Sequence, residues 1–198
     1  MVDLSKATFI IPLRIESEDR MRNIITLLCF LFGNFDTNVI VKEVDKTPVF
    51  EENVLPQVRE FIGKPLNLTH VFEESDDPVF YRMHILNEML AMSKTEVVIN
   101  YDCDVLLPID SYVSAYQSIL NGESDVVYPF GTGNYQKQVN ADDELVSEFL
   151  NNDFDFSILD KKSNIWTSDF GWIQFFNRQV YFDGGMENEN FRGSSPED

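Results

Sequence analysis

Apolar residues along this 198-residue chain fall into short continuous runs that alternate with segments of helical spacing. Thr8-Phe9-Ile10-Ile11-Pro12 is an apolar run of the kind that forms a short buried strand. The spacing then changes. From Ser17 to Phe32, Met21, Ile24, Ile25, Leu28 and Phe32 share one helical face, and Gly33-Asn34 is expected to end the helix. Asn38 to Val44 predicts a second strand, Glu51 to Ile62 a helix stopped by Gly63-Lys64-Pro65, and Leu68 to Phe72 a third strand. Tyr81 to Met92 predicts a helix and Glu96 to Tyr101 a fourth strand. Tyr112, Val113, Tyr116, Ile119 and Leu120 make a further helix face, followed by a fifth strand at Asp125 to Phe130. This strand–helix alternation predicts an α/β fold with a parallel sheet.

The pattern changes after Phe130. Gly131 to Asn140 reads as a polar loop and Asp142 to Asn152 as a short acidic helix. Gly171 to Asn177 and Gln179 to Phe182 read as a strand followed by a short helix or turn, and Asp183-Gly184-Gly185 as a turn. The tail from Met186 to Asp198 is polar.

Composition narrows the classes. A hydrophobic content of 43% over this length supports one domain with a sizeable core. Asp and Glu number 34 against 15 Lys and Arg, a formal net charge of -19, which argues against nucleic acid or an anionic membrane as partner. The same charge would repel a phosphate ligand unless a divalent metal offset it locally. Cys29 and Cys103 make no disulfide framework and read as thiols in a reducing compartment. Met1-Val2-Asp3-Leu4-Ser5-Lys6 does not resemble a signal peptide, and the apolar stretch from Ile24 to Phe32 is too short for a transmembrane segment. A cytoplasmic protein is the simplest expectation.

Three constellations carry candidate chemistry. Val97-Val98-Ile99 leads into Asp102-Cys103-Asp104 at the carboxyl end of the fourth strand, where open α/β sheets bind ligands. Asp102 and Asp104 would share a face if the strand continued. Two such carboxylates repel unless a cation lies between them, and hard oxygen ligands suit Mg2+ or Mn2+. The alternative is a solvated turn. The first strand leaves the sheet at the same end through Pro12-Leu13-Arg14, where Arg14 or Arg20 can meet phosphate; Arg20 fits equally a surface arginine paired with Glu16, Glu18 or Asp19. Phe80 is placed to stack on a base, and Arg82, in the first turn of the next helix, to hold a diphosphate or simply to face solvent. His84 reads as a helix-face residue with no partner at ligand spacing, and His70 as structural. The tail supplies the third constellation: Gly184-Gly185, then Gly193-Ser194-Ser195-Pro196, closing in Glu197-Asp198, carboxylates that serve either chemistry or helix capping.

Together these features resemble a GT-A glycosyltransferase, nearest to the β-1,4-galactosyltransferase and chondroitin-polymerase-like group. The resemblance rests on Pro12-Leu13-Arg14, on Phe80-Tyr81-Arg82 running to Leu86-Asn87, on Asp102-Cys103-Asp104, and on Gly184-Gly185, Asn190-Phe191 and Gly193 to Asp198, in family order along nearly the whole chain. It implies a Rossmann-like nucleotide-diphospho-sugar transferase fold over 1–198, with a nucleotide-binding half at 1–130 and an acceptor-side half at 131–198. It implies an inverting enzyme of surface polysaccharide synthesis that uses Mn2+ (or Mg2+), a UDP-sugar donor and a glycan acceptor, with galactose or an N-acetylhexosamine transferred. Donor-binding residues would be Pro12, Arg14, Phe80, Arg82 and Asp102; Asp102 would lie near the ribose and Asp104 would ligate the metal. Asp198 would be the catalytic base and Glu197 would help to bind the acceptor. The chain departs from the family in carrying Ser194 where a Trp is usual, and members continue beyond the position of Asp198, so a C-terminally incomplete domain is expected. The alternatives are a non-catalytic nucleotide-sugar-binding domain or fragment, and a sugar nucleotidyltransferase, which Pro12-Leu13-Arg14-Ile15-Glu16 disfavours because it lacks glycine.

Overall fold

A computed structural model describes residues 1–131, 136–166 and 172–191. In chain order the elements are β1 (Val2–Leu13), α1 (Glu18–Asn34), β2 (Phe35–Asp45), a π-helical turn at Phe50–Val54, α2 (Leu55–Ile62), β3 (Leu68–Glu74), α3 (Arg82–Met92) and β4 (Val97–Tyr101). There follow α4 (Ile109–Leu120), β5 (Val126–Val127), β6 (Lys137–Val139), α5 (Asp143–Asn151), α6 (Phe156–Asp160), β7 (Ser163–Ile165), β8 (Ile173–Asn177) and α7 (Arg178–Asp183).

Six strands form one sheet in the order β3-β2-β1-β4-β8-β5. The first four are parallel; β8 lies antiparallel between β4 and β5. The fold is therefore α/β with a mostly parallel sheet, as expected. Side-chain alternation divides the core into two layers. Phe9, Ile11, Leu13, Val39, Val41, Val97, Ile99 and Tyr101 pack with residues of α1, α2, α4, α5 and α6. Ile10, Ile40, Val44 and Val98 pack on the other face against Met83, Ile85, Leu86, Met89 and Leu90 of α3 and Tyr181 of α7. Among the described residues no helix is long and apolar enough to cross a membrane.

The helices start where capping chemistry permits. Ser17 accepts from the Arg20 amide at 3.1 Å, with Glu18 and Asp19 in the favourable first turn of α1. Asp142 caps α5 through the Leu145 amide at 2.9 Å.

Helix α1 ends at Asn34, as expected from Gly33-Asn34, and β2 starts at Phe35, while three expectations elsewhere are corrected. A methyl group at Gly33 would lie 2.6 Å from Phe154 Cζ, so this glycine admits an aromatic ring. The fifth strand shrinks to Val126–Val127, because its partner β8 pairs with it only at those positions. The 131–140 loop contains β6, which forms a two-stranded antiparallel ribbon with β7. Strand β4 ends at Tyr101, so Asp102 and Asp104 do not occupy one strand face.

The connections place a switch point at the sheet centre. From β1 the chain passes outward to β2 and β3, then crosses through α3 to β4 on the other side of β1. The carboxyl ends of β1 and β4 thus border the crevice where α/β sheets hold ligands.

Candidate functional site

Strand β1 delivers Arg14 to this crevice. Pro12 is buried inside β1 opposite Lys42, two residues past the last β1–β4 pair at Ile10 and Asn100. A proline is tolerated there because pairing on the β4 side has already ended. Asp45 accepts from the Ile15 amide at 3.0 Å and fixes the exit of the strand. Arg14 donates through Nε to the Val44 carbonyl at 2.9 Å and lies over the Phe80 ring, 5.3 Å from its centroid. Its Nη2 is buried and has no hydrogen-bond partner among the described residues. An unmet guanidinium donor beside an aromatic face is costly to maintain and suits an acceptor-bearing planar group.

Helix α3 delivers Arg82 and β4 delivers Asp102. Arg82 Nη2 donates to Asp102 Oδ1 at 2.9 Å, with the two side chains 16% and 29% exposed. The structure therefore brings together two residues twenty positions apart in sequence. The Asp102 amide donates to the Trp172 carbonyl at 2.9 Å, continuing the β4–β8 pairing by one residue. Cys103 then turns inward and Asp104 outward, exposed to solvent.

Two buried tyrosines support this turn from below. Tyr101 donates to the Val105 carbonyl at 2.9 Å, and Tyr112 accepts from the Leu107 amide at 3.1 Å. The two hydroxyls also bond each other. With the Tyr101 proton given to Val105, Tyr112 is the donor between them. Burial foremost raises the pKa of both phenols.

Arg20 is not the surface residue its acidic neighbours suggested. Its Nη1 donates to Cys103 Sγ at 3.4 Å beneath the turn. Burial opposes its charge, but Cys103, Asp104 and Glu16 together raise its pKa. Burial pushes the Cys103 thiol up to about 11, so at neutral pH its sulfur is uncharged and Asp104 and Glu16 are the anions that Arg20 faces. Cys29 is buried as well, and burial pushes its thiol up to about 12.

The histidine readings divide. His70 stacks on Phe50 at 4.6 Å and bonds the buried Glu43 carboxylate at 3.1 Å, a structural role. His84, expected to have no partner at ligand spacing in its helix, has Glu88 one turn on at 3.6 Å, and Glu189 reaches it at 3.0 Å. Sequence reasoning also passed over Asn100, Tyr181 and Glu187, which form a cluster beside β4. Polar Asn100 inside an otherwise apolar strand was the available signal. Glu197, Asp198, Gly193 and Ser194 lie outside the described residues.

In chemical terms, one end of the sheet presents an arginine over an aromatic ring, an arginine–carboxylate pair and an exposed carboxylate. Among the described residues no three His, Cys, Asp or Glu side chains are grouped to hold a metal ion.

Neither a protein-family model nor a curated protein sequence matches the chain. Solved structures do. The mannosyltransferase PcManGT from Pyrobaculum calidifontis, in complex with GDP-Man and Mn2+, superimposes with a TM-score of 0.60 at 18% identity, over 93% of this chain and 48% of its own. S. aureus TarS 1-349 superimposes with a TM-score of 0.54 at 17% identity, over 96% of this chain and 52% of its own. Its complex with UDP-GlcNAc gives 0.50 at 15% identity, over 90% and 47%. The fold is GT-A. The chain spans about half the length of these structures. At such identities the GT-A likeness establishes the architecture and leaves the chemistry to the residues of this chain.

Proposed function

We propose that this protein is a metal-dependent inverting glycosyltransferase that moves a sugar from a UDP-sugar to a glycan acceptor. The reading extends to the β-1,4-galactosyltransferase and chondroitin-polymerase-like group, with galactose or an N-acetylhexosamine as the sugar and surface polysaccharide as the product. The observation that carries it is the Arg82–Asp102 pair at the switch point of a GT-A sheet. In this reading residues 1–130 form the nucleotide half and 131–198 the acceptor side of one cytoplasmic domain.

The residues fit a divalent cation of the Mn2+ or Mg2+ type. Such ions are held by one or two carboxylates together with substrate phosphates rather than by an all-protein cage. Asp104 is the exposed carboxylate for that role and Asp102 its neighbour. When bound, the metal neutralises the leaving diphosphate, which also answers the chain's net charge of -19. Phe80 binds the nucleoside with Asp102 near the ribose, Arg82 and Arg14 meet the diphosphate, and Pro12 shapes the strand end that carries Arg14. Asp198 takes the proton of the acceptor hydroxyl as its oxygen bonds to the anomeric carbon and the sugar–diphosphate bond breaks; Glu197 orients the acceptor.

PcManGT was solved with GDP-Man and Mn2+ and TarS with UDP-GlcNAc, so the deciding test compares nucleotides. UDP and GDP are titrated calorimetrically into the protein with Mn2+ and then with EDTA. Metal-dependent UDP binding followed by transfer to a glycan supports the proposal. Metal-dependent binding without transfer selects a nucleotide-sugar-binding domain, and no binding in either condition sinks both.

A further inference from the structure

We propose that Asn87 is a positioning residue: its side-chain amide clamps residues 187–189 onto α3, the helix that carries Arg82, beside the Asn100–Glu187 contact to β4, and so sets the acceptor side in register with the donor side. Asn87 lies in the interior of α3, 8% exposed, where Met83, Ile85, Leu86, Met89 and Leu90 are the other buried side chains. Asparagine is a poor helix former, and a leucine would fill the same space. What leucine lacks is the amide. Asn87 Oδ1 accepts from the Glu187 amide at 2.9 Å, while Nδ2 donates to the Glu187 carbonyl at 3.0 Å and to Glu189 Oε1 at 2.8 Å. One side chain thereby satisfies both backbone groups of Glu187, as a neighbouring strand would.

The clamped segment has no regular secondary structure of its own. It follows Gly185 at φ 97° and Met186 at φ 62°. Its side chains return to α3, β4 and α7. The Glu187 carboxylate accepts from Asn100 Nδ2 at 3.1 Å and from the Tyr181 hydroxyl, and Asn100 stands two residues before Asp102. Glu189 Oε2 meets His84 Nδ1 at 3.0 Å, two residues after Arg82. The place of residues 187–189 is thus indexed to α3 and β4 as well as to α7, from which they emerge. The catalytic part of this inference rests on the proposed transferase reading; the clamp itself does not.

The test uses the full chain with Asn87→Leu, which fills the helix face without the amide, and Asn87→Asp, which keeps the acceptor for the Glu187 amide and loses both donated bonds. Hydrogen exchange is followed for the amides of 186–190, UDP affinity with Mn2+ by calorimetry, and sugar transfer by steady-state kinetics. In Asn87→Leu, exchange should rise about tenfold or more and UDP affinity stay within about twofold, while kcat falls about tenfold at unchanged donor KM. Asn87→Asp should be intermediate in exchange. Unchanged exchange at 186–190 in both variants overturns the clamp, and a parallel loss of UDP affinity overturns its assignment to the acceptor side. If wild-type protein binds no UDP, the transferase reading fails and the exchange measurement still decides the clamp.

Discussion

Arg82 and Asp102 meet at 2.9 Å across the switch point of the sheet, joining the first turn of α3 to the end of β4. The guanidinium has a planar fork that an ammonium cannot reproduce. Arg82→Lys should therefore keep the charge and still weaken UDP binding by about tenfold, with Arg82→Ala weaker again. Calorimetry on both variants checks the order; equal affinity for lysine and arginine would show that the fork is not used.

Asp104 is exposed, so its substitution should leave the fold intact. Asp104→Asn is expected to abolish the Mn2+ dependence of UDP binding at an unchanged melting temperature. Metal-dependent UDP affinity persisting in that variant would remove Asp104 from the metal site.

The tyrosine pair beneath the acidic turn predicts a stability effect with a functional echo. Tyr112→Phe leaves the Leu107 amide without its acceptor and takes away the donor to Tyr101. A loss of about 1–3 kcal/mol in denaturant unfolding is expected, together with weaker metal-dependent UDP binding because Val105 and Leu107 follow Asp104. Full stability in the variant would mean that the pair does not hold the turn.

Gly33 faces the Phe154 ring at 2.6 Å from the position a methyl group would take. Phe154 has little room to yield: its φ is 57° and its ring packs on Phe30 and Phe149 at 5.5 and 5.7 Å. Gly33→Ala should cost about 1–3 kcal/mol through overpacking, read as a fall in melting temperature of about 2–4 °C per kcal/mol.

The Glu189 carboxyl is held below its ordinary value of 4.5, first by Asn87 and then by His84. A carboxyl depressed in the folded state contributes its stabilisation above 4.5 and loses it as pH falls through the lower folded value. Protection of 186–190 against hydrogen exchange, corrected for intrinsic rates, should decline as the pH falls below 4.5. Glu189→Gln, which cannot titrate, should show no such decline; the same decline in that variant would assign it to another group.

Much of this protein was set by its local sequence. Helix α1 starts where Ser17 caps it, and α3 and β4 fall within a residue of the limits read from periodicity, because capping and side-chain alternation act over a few neighbouring positions. The candidate chemistry at Arg14, Phe80, Arg82 and Asp102 was legible for the same reason: it lies at strand ends and a helix start, where parallel sheets expose polar groups. Tertiary structure decided which of these meet. No local rule pairs Arg82 with Asp102, inserts β8 antiparallel between β4 and β5, or turns Arg20 inward to Cys103. Gly33 receives the Phe154 ring from more than a hundred residues away, and Asn87 receives the Glu187 backbone from a distant loop. Those outcomes depend on contacts between distant segments, whose energies exist only once the chain has closed on itself.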